Sequence, residues 1–341
     1  MRWLKRIGGG ILAVLAVTVL AGTVYEMWAR HRVAAQFPAP GRLIDIGGRR
    51  IHVDCRGTGA PVVVFESGLD LYGSLSWSAV QDPVAQFTRA CSYDRAGIMW
   101  SDRASGAQDG AAVASDLHQV LQAAGEPAPY VMVGHSLGGP YVMAFSYQFG
   151  SDVAGIVFVD ASHPDQQLRL KEAIGKSVEE SSTGPKVAAA LAWTGLPRLA
   201  TRSAGQPKAP ARANAAMAAY LPRSLAPMLD ELAAIDATFR EGGALRSLGD
   251  RPLVVLTAAA PYGAADLAAL GLTPEQGQKL QAAWFDLHRD EASWSSRGRE
   301  MRLEDSHHYI QFERPDAVVA AVREVVDCVR LLHECAPQPI Q

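Results

Sequence analysis

Four short apolar runs constrain this chain most. They are residues 61–67 (PVVVFES), 130–133 (YVMV), 155–160 (GIVFVD) and 252–256 (PLVVL). Continuous rather than alternating apolar character marks a strand covered on both faces, and parallel sheets are made of such strands. Residues 109–124 and roughly 137–149 read as helices between them, and helical periodicity returns at 316–333. Strands that alternate with helices predict an α/β domain with a mainly parallel sheet. Ahead of the first run, GRLIDIG and RRIHVDC flank Gly47 and Gly48 and predict a hairpin. RACSYD predicts a further strand, and residues 76–88 have partly helical spacing.

The chain opens on a different pattern. Residues 7–25 (IGGGILAVLAVTVLAGTVY) hold 19 positions without a charge, behind Arg2, Lys5 and Arg6. At ~1.5 Å per residue such a helix reaches about 28 Å, close to the ~30 Å of a bilayer core. A membrane anchor through residues 7–25 is expected. A cleaved signal peptide is the alternative, against which stand the length of the stretch and the lack of an Ala-x-Ala site. Basic residues before the stretch and Glu26 after it favour a cytoplasmic N-terminus, with the globular part periplasmic or extracellular. Residues 1–32 carry +4 against a total of −3, which leaves −7 for residues 33–341. No nucleic-acid partner is expected of so acidic a remainder.

Cys55, Cys91, Cys328 and Cys335 lack the C-x-x-C spacing of zinc or redox centres, so no metal is expected. In an extracytoplasmic domain they permit two disulfides, and three connectivities are open. Between residues 164 and 250 the strand–helix order breaks into Ala-rich sequence punctuated by Pro185, Pro197, Pro207, Pro210, Pro222 and Pro227. Several short helices are expected there, inserted as a cap over the sheet. The expected division is an N-terminal segment (1–32), a core (41–163 and 251–333) and a helical cap (164–250).

The segment that carries chemistry is Gly134-His135-Ser136-Leu137-Gly138-Gly139, placed after a strand and opening a helix. A serine on so sharp a turn needs small neighbours, because its backbone is strained and the flanking residues crowd strand and helix. The turn raises the hydroxyl above the sheet. It also leaves the Leu137 N–H, at a helix N-terminus, free for an oxyanion.

With these residues in place the chain resembles the α/β-hydrolase superfamily, over roughly residues 41–333. The resemblance rests on GHSLGG, on the turn ESGLD, on YDRAGIMWSD and on SHHYIQFERPD. It implies an α/β-hydrolase fold whose second and fourth strands are neighbours, and a Ser–His–acid triad without metal or organic cofactor. If RRIHVDC and RACSYD are those strands, Cys55 and Cys91 lie side by side and could pair, leaving Cys328 and Cys335 as a local pair. The turn Ser67-Gly68-Leu69 matches the family's His-Gly-x turn and offers the Leu69 N–H as second oxyanion donor. Ser67 stands where the family has His, so the supporting hydrogen bonds of that turn are expected to differ. Asp94-Arg95-Ala96-Gly97 with Ser101-Asp102 matches a structural loop, in which Met99 replaces the common glycine. Glu66 reads as an architectural carboxylate at a strand end.

A histidine must serve as general base. His135 adjoins the serine but points elsewhere on a tight elbow, and His163 follows the 155–160 strand as a pocket or loop residue. Chain order places the base in SHHYIQ, and the family's Ser-Gly-His pattern selects His308 over His307. Asp160, ending its strand on the side of Ser136, is the expected acid. Asp266 is the alternative, in the loop after 252–256 where the superfamily more commonly has its acid, while Asp250 precedes that strand at the wrong end.

The expected function is that of a membrane-anchored serine hydrolase acting on small esters or related acyl compounds through an acyl-enzyme. The cap's Ala, Leu and Trp content points to an apolar acyl or alcohol pocket. A serine nucleophile disfavours the epoxide hydrolase and haloalkane dehalogenase branches, which use Asp at the elbow. Peptidase, thioesterase, lactonase and cofactor-free haloperoxidase branches stay open. So does a catalytically silent domain that binds a ligand or partner, because fold alone never establishes activity.

Overall fold

The computed structural model describes residues 2–177, 182–201 and 204–331. The four apolar runs form adjacent parallel strands: β3 (Val62–Glu66), β5 (Tyr130–His135), β6 (Val153–Val159) and β7 (Leu253–Ala258). They sit in an eight-stranded sheet of order β1-β2-β4-β3-β5-β6-β7-β8. The expected hairpin is β1 (Arg42–Asp45) and β2 (Arg50–Arg56), antiparallel to each other, and β2 is antiparallel to β4 (Ala90–Tyr93). β8 (Gly298–Leu303) completes the far edge in parallel with β7.

Register places Cys55 opposite Cys91, and the two are joined by a disulfide. Cys335 lies outside the described residues.

Helices cover both faces, as the continuous apolar strands require. On one side, α3 (Gly110–Ala124) and α4 (Gly138–Gln148) pack Leu117, Leu121, Val142 and Phe145 onto the sheet. On the other, α2 (Gln81–Ala85) lies beside α13 (Pro315–Leu331), which contributes Val318, Val322, Val325 and Val326. These valines recur at three- and four-residue intervals, the stripe that makes 316–333 legible as a helix.

Between β6 and β7 lie α5 (Gln166–Ile174), α6 (Thr183–Ala190), α7 (Leu196–Ala200), α8 (Ala211–Ala233) and α9 (Ile235–Gly242). The prolines do not cut this segment into short pieces throughout, because α8 runs 23 residues through Pro222 and Pro227. An internal proline deprives a carbonyl one turn earlier of its helical donor. Close to Pro222 the Ala219 carbonyl accepts from Arg198 Nη1 at 2.6 Å, a contact from outside the helix. Beyond β7, α10 (Ala264–Leu270) and α11 (Pro274–Ser293) precede β8, and α12 (Ile310–Glu313) precedes α13.

The N-terminal helix α1 (Arg2–Gln36) is continuous for 35 residues and contains one segment long and apolar enough to cross a membrane. Its last turns pack on the β6–β7 helices. Glu26, 2% exposed, accepts from Arg198 Nε at 2.8 Å and Nη2 at 2.9 Å.

The disulfide closes a 36-residue separation, for which loop-entropy arguments give about 3–4 kcal/mol. Replacing Cys55 and Cys91 together by Ala is expected to lower the thermal midpoint by several degrees in non-reducing detergent solution. Scanning calorimetry of variant against wild type measures it.

Candidate active site

Ser136 lies between the end of β5 and the start of α4, with φ at +52°. That left-handed backbone costs a non-glycine residue of order 1 kcal/mol and turns the side chain out of the sheet. Close packing enforces the turn: a Cβ on Gly138 would stand 2.5 Å from the Glu66 carbonyl oxygen. The Ser136 carbonyl accepts from Gly139 N at 2.9 Å and Ser162 N at 2.8 Å, which ties the elbow to the loop after β6.

His308, in the loop between β8 and α12, places Nε2 3.0 Å from Ser136 Oγ and Nδ1 2.7 Å from Asp160 Oδ2. With Nδ1–H donating to the carboxylate, Nε2 is left to accept the serine proton. The imidazole is 44% exposed and open to a substrate, whereas Asp160 is buried. Asp160 Oδ1 accepts from Ala258 N at 2.9 Å and from Trp284 Nε1 at 3.0 Å. Burial pushes this carboxyl up, but the hydrogen bond and charge of His308, with help from His288 and Trp284, outweigh it and hold it below the usual range. It is ionised beside the ring it orients.

Two residues of α11 that sequence reasoning missed support this acid. Trp284 bonds it directly. His288, fully buried, stands 3.9 Å from Oδ1, bonds the Ala161 carbonyl through Nε2 at 3.0 Å and meets Thr257 Oγ1 at 2.8 Å. Glu291, one turn further, is pushed well up by burial and by the charge of Asp160. Trp284, His288 and Glu291 fall on one helical face at i, i+4 and i+7, the signal that could have found them.

The other candidates lie elsewhere. Asp266 is exposed and accepts from Gly263 N at the start of α10. Asp250 is exposed, with Arg297 Nη2 3.9 Å away. His307 is exposed and engages Glu313 through its backbone N and Nδ1. Both ring nitrogens of His163 are occupied, by Asp290 Oδ2 and by Asp165 N. His135 is buried under His308, donating from Nε2 to the His308 carbonyl at 2.9 Å.

Gly68 brings the ESGLD turn against the elbow, since a Cβ there would stand 2.8 Å from Ser136 Cβ. Among the described residues, neither the Leu69 nor the Leu137 N–H donates to a protein acceptor. Arg95 holds the turn: Nη1 donates to Glu66 Oε1 and the Ser67 carbonyl, both at 2.7 Å, and Nη2 to the Gly68 carbonyl at 2.6 Å. Its far edge binds Glu231 of α8 through Nε and Nη2, each at 2.9 Å. Met99 does adopt a glycine-like backbone, φ +43°, with its N–H donated to Ser224 Oγ of α8.

A family model described as alpha/beta hydrolase fold matches residues 60–222. Esterase from Thermogutta terrifontis superposes with a TM-score of 0.58 at 18% identity, covering 82% of this chain and 94% of the esterase. The epoxide hydrolase CorEH gives 0.57 at 14% identity, covering 85% and 98%. The uncharacterized protein YbdG of Bacillus subtilis (strain 168) is 21% identical over 169 residues, 49% of this chain and 52% of YbdG. This chain thus matches about half of that relative's length. The chain is an α/β-hydrolase-fold protein.

Burial lowers the His135 pKa to about 3, with the neighbouring His308 adding to the effect. The unfolded chain takes up at about 6.5 a proton that the buried ring refuses. The folded state therefore loses stability through His135 as pH falls from about 6.5 towards 3, by at most about 1.4 kcal/mol per unit. His135→Gln removes that slope, and the wild-type minus variant difference in urea midpoint, followed from pH 7 to 4, measures it.

Proposed function

We propose that the protein is a serine hydrolase that cleaves carboxylic esters or related acyl compounds through an acyl-enzyme intermediate. The observation that carries this reading is the hydrogen-bonded series Ser136–His308–Asp160 beside two unengaged amides. Ser136 Oγ attacks the carbonyl carbon while His308 Nε2 takes the hydroxyl proton, and Asp160 stabilises the imidazolium that forms. The carbonyl oxygen becomes an anion facing the Leu69 and Leu137 N–H groups. Collapse breaks the bond to the leaving alcohol, which receives the proton from His308. Water then repeats the sequence at the acyl carbon and frees Ser136. The hydroxyl at the elbow favours this acyl chemistry over the alkyl-enzyme route of epoxide opening.

The substrate is expected to be small and apolar. Leu137 and Tyr141 cluster with Phe239 of α9, and Leu69 and Ile235 pack against them. Apolar side chains therefore adjoin the proposed oxyanion donors from both core and inserted helices. We read α5–α9 as a cap over the site.

Ser136→Ala is expected to abolish labelling by a fluorophosphonate probe and to lower turnover of a p-nitrophenyl ester at least about 10³-fold. His308→Ala should lose as much, and Asp160→Asn about 10²–10⁴-fold. His307→Ala and Asp266→Asn should stay within about twofold. A folded wild type that the probe does not label makes the protein a ligand-binding module instead, and a larger loss in Asp266→Asn than in Asp160→Asn moves the acid.

We also propose that α1 is retained as a membrane anchor, with the site outside the cytoplasm. Removal of α1 would take away the carboxylate that Arg198 pairs with. The Cys55–Cys91 disulfide fits an oxidising compartment. Full-length protein should resist carbonate extraction and leave the membrane fraction only with detergent, and release without detergent would refute the anchor.

A further inference from the structure

A cleft of about 520 Å³ lies between the last turns of α1 and the helices α6–α8, outside the site described above. Four arginines line it, Arg30, Arg103, Arg198 and Arg223, and among the described residues no Asp or Glu does. Their acids stand behind or beside the cleft. Arg198 and Arg30 share Glu26, Arg103 meets Asp230 at the surface, and Arg223 donates to the Ser101 carbonyl with Asp102 3.9 Å away. Three carboxylates therefore serve four cations, and Asp102 is also held by Arg50. The cleft is left with positive charge and donors in excess, while Val33 and Trp193 give it an apolar wall.

Its height along α1 is what gives that chemistry meaning. The charge-free run ends at Tyr25, and Arg30 follows about 7.5 Å later along the helix axis, at the outer edge of the headgroup layer. The headgroup layer beyond each face of a bilayer core is about 5–7 Å deep. A second, independent observation places neighbouring helices beside the end of the apolar run. The segment 192–200 is seated on α1 at the end of the apolar run, where a Cβ on Gly22 would stand 2.3 Å from the Thr194 carbonyl oxygen. From that segment Trp193, Leu196 and Leu199 are 50%, 57% and 50% exposed, a costly display in water and an ordinary one at a lipid interface. Trp28, 54% exposed with Arg32 5.0 Å from its ring centroid, lies two residues before Arg30 on α1.

We propose that this cleft binds the phosphodiester headgroup of an anionic phospholipid from the bilayer that α1 crosses. Trp193, Leu196 and Leu199 lie against the adjoining acyl chains. The guanidinium groups supply the charge-assisted donors that phosphate oxygens take up. The proposal rests on the membrane reading of α1 and is independent of the hydrolytic one.

The test uses the full-length chain purified in a neutral detergent, with isothermal titration of dihexanoyl phosphatidylglycerol, dihexanoyl phosphatidylcholine and inorganic phosphate as separate arms. The anionic lipid is expected to bind at least tenfold more tightly than the zwitterionic one. Arg30→Gln combined with Arg103→Gln should weaken it at least tenfold and leave the zwitterionic arm unchanged. Arg103→Gln alone, at a half-exposed position, should give a smaller loss in the same direction and serves if the double variant does not fold. Equal binding of the two lipids, or an unchanged affinity in the variants, overturns the proposal. Inorganic phosphate binding as tightly as the anionic lipid overturns it too, in favour of a free-anion site. Ser136→Ala should bind the lipid like wild type, so failure here is separable from failure of the hydrolase reading, and carbonate extraction reports on the anchor by itself.

Discussion

The buried guanidinium of Arg95 is the interaction on which the arrangement of the site depends. It is 3% exposed and spans parts of the chain that are far apart in sequence: Glu66 to Gly68 after β3, Tyr141 of α4 beneath it, and Glu231 of α8. Isolated, such a cation would not be tolerated inside a protein. Here two carboxylates and two backbone carbonyls satisfy it. Burial pushes Glu66 up to about 7 against the pull of Arg95. Because the same group bonds the Ser67 and Gly68 carbonyls, it sets where the following Leu69 N–H points. The place usually taken by a histidine side chain in that turn is served from β4's loop by an arginine.

The second constraint is the location of the acid at the end of β6. In a parallel sheet the ends of neighbouring strands lie side by side, and Val159 pairs with Leu256 of β7. A carboxylate just past β6 therefore reaches the Ala258 N–H past the middle of β7 and needs no loop of its own to meet His308. Asp160 takes a φ of +45° to do so, a second strained residue in the same site as Ser136. Strain held at two adjacent strand ends needs a rigid surrounding, and α11 supplies it through Trp284 and His288.

Much of this was legible in the sequence, because local rules and global fold agree where the chain is most buried. The four apolar runs can only be strands covered on both faces, and the glycines around Ser136 mark a turn that other residues would not fit. Leu117, Val142 and Val322 follow helical spacing for the same reason. Legibility fell where long-range contacts decide. Nothing local says that α8 continues through Pro222 and Pro227, and its contact beside Pro222 comes from an arginine 21 residues before Ala219. The supporting face of α11 is hidden in a polar helix whose purpose appears only once β6 and β8 bring Asp160 and His308 together. Residues 7–25 announce a spanning helix by length, but the burial of Glu26 against Arg198 depends on a partner 172 residues away.

These two arginine clusters meet on one element. Arg198, paired with Glu26 of α1, donates to the Ala219 carbonyl of α8, and Arg95, which holds the ESGLD turn, is paired with Glu231 of the same helix. Twelve residues separate those points, about 18 Å along the axis of a continuous helix. Had the segment broken at Pro222 or Pro227, its two halves could swing independently, and the direction of α1 would say nothing about the direction of the site. A helix that runs unbroken between two buried ion pairs transmits orientation instead. The line from the apolar helix to the turn beside Ser136 is thereby fixed by side chains on several elements, and the site keeps a constant attitude to α1.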